Sequence, residues 1–121
     1  SDNYVNYVIR TTFEGRVGES ARMKSKHPEC VPVIIEPSDR GDQFLPISQN
    51  KYHVPEELTV GQLVYAVRKN IPKLKTNEAI FAYVGGTLPP TSTVMKTLYS
   101  EHKSKDGFLY MEYSGENTFG V

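Results

Sequence analysis

Cys30 and His27 are the first residues whose chemistry has to be weighed, because a thiol with an imidazole three residues before it suggests a nucleophile and its base, or half of a metal site. A zinc site needs about four ligands. No second Cys or His pair stands at ligand spacing, so no metal is expected. Cys30 lies between Glu29 and the apolar run VPVIIE, where a small, partly buried residue starting a strand is the ordinary reading. His53, in KYHVP, and His102, in the last helical stretch, stand alone and read as packing or surface residues. The glycines at 41, 85 and 86 lack the GxxxxGK[ST] or GxGxxG spacing that cradles phosphate. The chain ends ENTFGV, with a glycine one residue short of the last, which on composition alone is an ordinary terminal overhang. No catalytic constellation emerges, and no cofactor is implied.

The elements that would position these residues follow from pattern and punctuation. The 121 residues are enough for one domain with a real core. Residues 2–13 are expected to form a short helix with Tyr4, Val8 and Phe13 on one side, broken by Gly15 and Gly18. A second, mostly charged helix follows over 19–26, with Met23 its one large apolar residue and His27-Pro28 its stop. VPVIIE (31–36) is a strand apolar on both faces, with Val31, Val33 and Ile35 pointing one way and Pro32 and Ile34 the other. Residues 37–50 have the Pro, Gly, Asp and Ser content of a long loop. KYHVP (51–55) then pairs antiparallel with 31–36 and, carrying Lys51 and a terminal proline, makes an edge strand with one unpaired side.

The clearest helix is TVGQLVYAVRKNI (59–71). Thr59 caps it, Val60, Leu63, Val64, Val67 and Ile71 share one face, and Pro72 ends it. AIFAYV (79–84) is a strand closed by the Gly85-Gly86 turn. Thr91 or Ser92 is expected to cap a last helix, TVMKTLYSEHK, with Met95, Leu98, Tyr99 and His102 on one side. Asp106-Gly107 turns the chain into the strand FLYMEYS (108–114). The resulting order, αα then ββαβαβ, is the layout of an α+β, ubiquitin-like β-grasp with a four-stranded sheet and two additional N-terminal helices. Because 31–36 and 108–113 are apolar on both faces, those N-terminal helices are the expected cover for the second face. The domain plan is a helical extension packed on the sheet (1–30), a β-grasp core (31–114) and a flexible tail (115–121).

Charge and hydropathy exclude other classes. Fourteen Lys+Arg balance fourteen Asp+Glu, which argues against a nucleic-acid binder working through bulk positive charge. Basic residues cluster only locally, at Arg22, Lys24 and Lys26 and at Arg68, Lys69, Lys73 and Lys75. No run approaches the roughly 18 apolar residues of a membrane span. The first residues show no basic start followed by an apolar stretch, and the single cysteine forms no internal disulfide, so a cytoplasmic or nuclear location is expected.

HPECVPVIIE, KYHVPEELTVGQLVYAVRK, LPPTSTVMKTLYSEHK, DGFLYMEYS and the terminal TFGV together resemble the autophagy ubiquitin-like modifiers, the group that includes the microtubule light-chain type and the GABA-receptor-associated type. The resemblance runs from about Phe13 to Val121. It implies a non-enzymatic modifier whose tail is trimmed by a cysteine protease acting around Phe119, Gly120 and Val121. Activating and conjugating enzymes then join Gly120 to phosphatidylethanolamine, and the lipidated protein sits on autophagosomal membranes and recruits cargo receptors. Gly120, without a Cβ, suits narrow enzyme channels and an unhindered thioester, and Val121 must leave because the amide needs Gly120 at the terminus. A β-grasp adaptor that binds peptides without being conjugated is the alternative.

The resemblance also implies that aromatic-x-x-aliphatic peptides add as a strand to the KYHVP edge, with two side chains entering two pockets. Carried over by position, the first pocket is lined by Glu19, Met23, Pro32, Ile34, Lys51, His53 and Phe108. The second is lined by Tyr52, Val54, Pro55, Leu58, Leu63 and Val67. His53 stands where the family usually has an aliphatic residue. Cys30 stands where it often has an arginine that pairs with acids flanking the motif, so a weaker dependence on acidic flanks is expected.

Overall fold

The computed structural model describes residues 6–38 and 44–115. Its elements run α1 (Phe13–Lys26), β1 (Cys30–Pro37), β2 (Lys51–Pro55), α2 (Val60–Val67) continued by a 3-10 turn (Arg68–Asn70), β3 (Ile80–Tyr83), α3 (Met95–His102) and β4 (Leu109–Gly115). The four strands form one mixed sheet in the order β2-β1-β4-β3. β1 and β4 run parallel in the centre, while β2 and β3 pair antiparallel on the outside. KYHVP is therefore an edge strand, in the register Val31 to Val54 and Pro32 to His53.

The alternation in β1 and β4 sorts the core into two layers. Val31, Val33 and Ile35 with Leu109, Met111 and Tyr113 face α2 and α3, burying Val60, Leu63, Val67, Met95 and Leu98. Ile34 and Phe108 face the other way, against Tyr7, with Met23 and Tyr110 partly buried beside them. A strand pair buried on both faces reads as a nearly continuous apolar run, and that is how both segments read.

The cover on the second face differs from the expected pair of helices. Among the described residues one helix, α1, stands in their place, running through Gly15 and Gly18. Gly15 sits at the third helical position, where its N–H donates to the N-cap hydroxyl of Thr12 at 3.0 Å. A side chain there would approach the same hydroxyl, so this glycine belongs to the cap rather than breaking the helix. Residues 7–10 form a turn, with Arg10 N–H donating to Asn6 C=O at 3.3 Å, and 2–5 lie outside the described residues.

α1 is polar, and its buried residues are Arg16 and Ser20 rather than aliphatics. Arg16 Nε donates to Asp106 Oδ2 at 2.9 Å, with the two side chains 10% and 2% exposed. The same guanidinium donates to the carbonyls of Val8 and Thr11, each at 3.2 Å. Asp106 also accepts from the Phe108 N–H at 2.9 Å and from the Tyr110 hydroxyl, and the Ser20 hydroxyl donates to its carbonyl. Gly107 completes the joint. Its φ of +95° favours glycine, and a Cβ would lie 2.3 Å from Ser20 Oγ.

The remaining helices differ in how they begin. Thr59 caps α2 through a reciprocal box in which Gln62 answers its backbone. α3 starts at Met95 with Val94 as N-cap and no side-chain cap bond, so neither Thr91 nor Ser92 serves that role. The segment 91–94 is tied instead to the start of α2, with Gly61 N–H donating to Thr91 C=O at 2.9 Å and Val60 N–H to Thr93 C=O at 2.8 Å. His102, expected on the packed side of this helix, is exposed at its end. Gly85 and Gly86, at φ 58° and 81°, make the expected turn.

Removing one partner of a buried pair leaves the other charge uncompensated, typically at about 3–5 kcal/mol. Asp106→Ala is expected to lower unfolding stability by about that amount in urea titration. A loss below about 1 kcal/mol, the range of an exposed pair, would contradict the anchoring role.

Candidate peptide-binding edge and conjugation tail

The residues expected around the first pocket come together, but as a closed wall. Pro32 and Ile34 of β1 and Phe108 ahead of β4 are fully buried. Glu19 and Met23 reach over them from α1, and Lys51 and His53 from β2, with His53 exposed. Lys51 Nζ donates to the Glu19 carboxylate, bridging the helix to the edge strand across the mouth of this region. Tyr7, which sequence reasoning missed, fills the space beneath. Its ring meets Phe108 edge-on at 5.6 Å between centroids, its hydroxyl donates to Glu19 at 2.7 Å, and Lys51 Nζ stands 5.2 Å over its face.

Backbone chemistry fixes Tyr7 there. Its N–H donates to Glu36 Oε2 at 2.9 Å, and Asn50 Nδ2 donates to the same oxygen at 3.1 Å. Glu36 is a buried acid in the apolar β1 run, and that oddity was the one sequence signal that something polar must meet it. The Tyr7 ionisation is pushed above the ordinary phenol range, first by burial and then by the hydrogen bond to Glu19. The Glu19 carboxyl is held below its ordinary range, chiefly by the Lys51 bond, with burial opposing and Tyr7 assisting.

The residues of the second pocket divide between core and surface. Val54, Leu63 and Val67 are buried members of the main core, Leu58 and Tyr52 are half-buried against it, and Pro55 is exposed. The Tyr52 hydroxyl donates to Gln49 C=O at 2.6 Å and accepts from Asn70 Nδ2 at 2.8 Å, which ties β2 to the end of the helix α2 starts.

Cys30 is a buried free thiol at the first position of β1. Burial, followed by the Glu29 charge, pushes its ionisation up, the opposite of what an activated nucleophile needs. His27 does not engage the thiol as a base. It stacks on His53 at 4.1 Å with 3° between the rings, a pairing between α1's C-cap and the edge strand that the reading of His53 as isolated missed. Phe119, Gly120 and Val121 lie outside the described residues.

Residues 15–120 match the family described as autophagy protein Atg8, ubiquitin like. The chain belongs to the Atg8 ubiquitin-like family. It is 52% identical over 115 residues to autophagy-related protein 8a of Arabidopsis thaliana, covering 95% of this chain and 93% of that one. To autophagy-related protein 8 of Schizosaccharomyces pombe it is 53% identical over 110 residues, covering 91% and 89%. The crystal structure of Trypanosoma brucei ATG8 superposes with a TM-score of 0.86 at 39% identity, over 98% of this chain and all of that one. Plasmodium falciparum Atg8, solved in complex with an Atg3 peptide, gives 0.77 at 32% identity, over 92% and 96%. The fold is thus the ubiquitin-like one expected from the element order, with three helices. No helix among the described residues is long and apolar enough to cross a membrane.

Because the folded Glu19 ionisation lies below its unfolded value, the Lys51–Glu19–Tyr7 contact contributes stability above the ordinary glutamate range of about 4.3 and loses it as pH falls through the folded value. The thermal midpoint of the wild type is expected to exceed that of Glu19→Gln at neutral pH, with the gap closing below about pH 4. A gap of constant size from neutral pH to pH 3 would contradict this.

Proposed function

We propose that this chain is a ubiquitin-like modifier of autophagy, conjugated through Gly120 to phosphatidylethanolamine after Val121 is removed. Membership of the Atg8 family through residue 120 is the observation that carries the reading. Glycine at 120 offers an unhindered acyl carbon for a thioester and then an amide with the lipid amine. The headgroup brings two acyl chains, and at about 0.8 kcal/mol per buried CH₂ a two-chain anchor holds far longer than one chain. The protein thereby acts on autophagosomal membranes and is otherwise cytoplasmic. Its partners are a processing cysteine protease, the activating and conjugating enzymes, and cargo receptors. The Plasmodium relative bound to an Atg3 peptide supports a conjugating-enzyme partner of this kind.

Cargo receptors are bound at β2 by strand addition. The supporting geometry is the outer position of β2 in the sheet, flanked by α1 on one face and α2 on the other. In this reading an aromatic anchor enters between Glu19, Met23, Lys51 and His53 after Lys51 swings off Glu19, reaching the Pro32, Ile34 and Phe108 floor. An aliphatic anchor rests on Tyr52, Pro55 and Leu58, over Val54, Leu63 and Val67. With a thiol at position 30 in place of a flanking cation, flanking Glu is expected to raise the affinity of matched peptides less than it does for relatives that carry arginine there.

Incubation with the processing protease of an Atg8 system, followed by intact mass, is expected to show loss of one valine. In cells, Gly120→Ala is expected to abolish the lipidated band and the puncta that starvation induces. An intact mass unchanged by an active protease, with puncta persisting in the variant, would favour a non-conjugated peptide adaptor.

A further inference from the structure

A cleft of about 620 Å³ lies at the end of α2, lined by Tyr65, Ala66, Arg68, Lys69, Leu74 and Thr76. Two members of the second basic cluster, Arg68 and Lys69, line it, and the other two, Lys73 and Lys75, neighbour the lining residue Leu74 in sequence. One wall is the outer flank of α2 and its 3-10 turn, and the other is the loop that follows. Arg68 joins them: its Nη2 donates to the carbonyls of Lys75 and Thr76 at 3.1 and 3.3 Å. Both acceptors are neutral, so these bonds fix the guanidinium without cancelling its charge.

Lys69 is exposed beside it. Glu78, the acid nearest in sequence, keeps its charge, but its Oε1 is turned to the Lys75 N–H at 2.8 Å, and a single acid leaves the Arg68, Lys69, Lys73 and Lys75 cluster net positive. Between these cations sit Tyr65, 78% exposed, and the half-buried Leu74. An apolar patch framed by a braced guanidinium and an exposed ammonium is complementary to an apolar side chain flanked by carboxylates. A flat anionic surface would meet the cations but would leave the concavity empty.

We propose that this cleft is a second docking site, which takes an acidic peptide segment of a partner protein. An aliphatic side chain of that segment seats between Tyr65 and Leu74, and its flanking carboxylates lie on Lys69 and Arg68. The site depends on neither lipid conjugation nor strand addition at β2. It gives this chain a way to hold one partner by two separate segments, or two partners at once, and such linkage raises overall affinity without new contacts at either site.

The test is titration of the ¹⁵N-labelled protein with the capped peptide acetyl-Glu-Glu-Leu-Glu-Glu-amide, its glutamine counterpart, and vesicles of phosphatidylserine and phosphatidylcholine. Amide shifts are expected at 65–69 and 74–76 with the acidic peptide, weakening as salt is raised. The glutamine peptide and the variant Lys69→Glu should each bind about tenfold more weakly or worse, as loss of a charge-assisted bond requires. Tyr65→Ser should also weaken binding, with no change in thermal midpoint because the ring is exposed. Equal binding of both peptides, shifts confined to other regions, or no shift at millimolar peptide would overturn the proposal. So would engagement of these amides by the anionic vesicles alone, which would make the patch a membrane surface.

Discussion

A buried ion pair between Arg16 and Asp106 holds the second face of the sheet closed, and the setting of the edge strand β2 depends on that closure. The central parallel strands present apolar side chains on both sides, so the sheet needs two covers. α2 and α3 supply one by ordinary hydrophobic burial. α1 lacks the apolar stripe to do the same, and its inward residues are an arginine and a serine. It is therefore fastened by directed polar bonds to the Asp106-Gly107 turn, while Tyr7 supplies the apolar plug over Ile34 and Phe108. Directed bonds also fix how α1 lies, which burial alone would leave looser.

That placement carries through to the edge strand. With α1 pinned at Arg16 and Ser20, Glu19 on the same turns reaches Lys51, and His27 at the helix end stacks on His53. β2 is thus braced from one side by α1 and from the other by the Tyr52–Asn70 contact with the end of α2's helix. An exposed edge is an aggregation hazard, which short length, a lysine and a proline restrain here. The same features leave β2 braced, so under the proposed strand addition main-chain bonds would form at little cost in ordering the receptor.

Much of this was legible in the sequence because it rests on local periodicity. The span of β2, the two faces of β1 and β4, and the apolar face of α2 follow from alternation and helical spacing. The misreadings share a different cause, since each concerned a residue whose partner is distant or whose local role was overruled. Gly15 and Gly18 look like breaks until Thr12 is seen capping across Gly15. Thr91 looks like a cap until its carbonyl is found bonded to Gly61. Tyr7 gave no periodic signal, because its place is set by Glu36, 29 residues away. The pocket residues were reached by resemblance rather than by pattern, and only coordinates separate the fully buried Pro32, Ile34 and Phe108 from the accessible Lys51 and His53.

The central claim is that β2 receives a partner strand beside a wall built by α1. Amide hydrogen exchange and interstrand nuclear Overhauser contacts, measured with a saturating aromatic-x-x-aliphatic peptide, test it most directly. The account predicts new protection of the β2 amides that do not bond to β1, with peptide backbone contacts running along residues 51–55. Binding that leaves those amides exchanging as in the free protein, with contacts to another part of the surface, would contradict it.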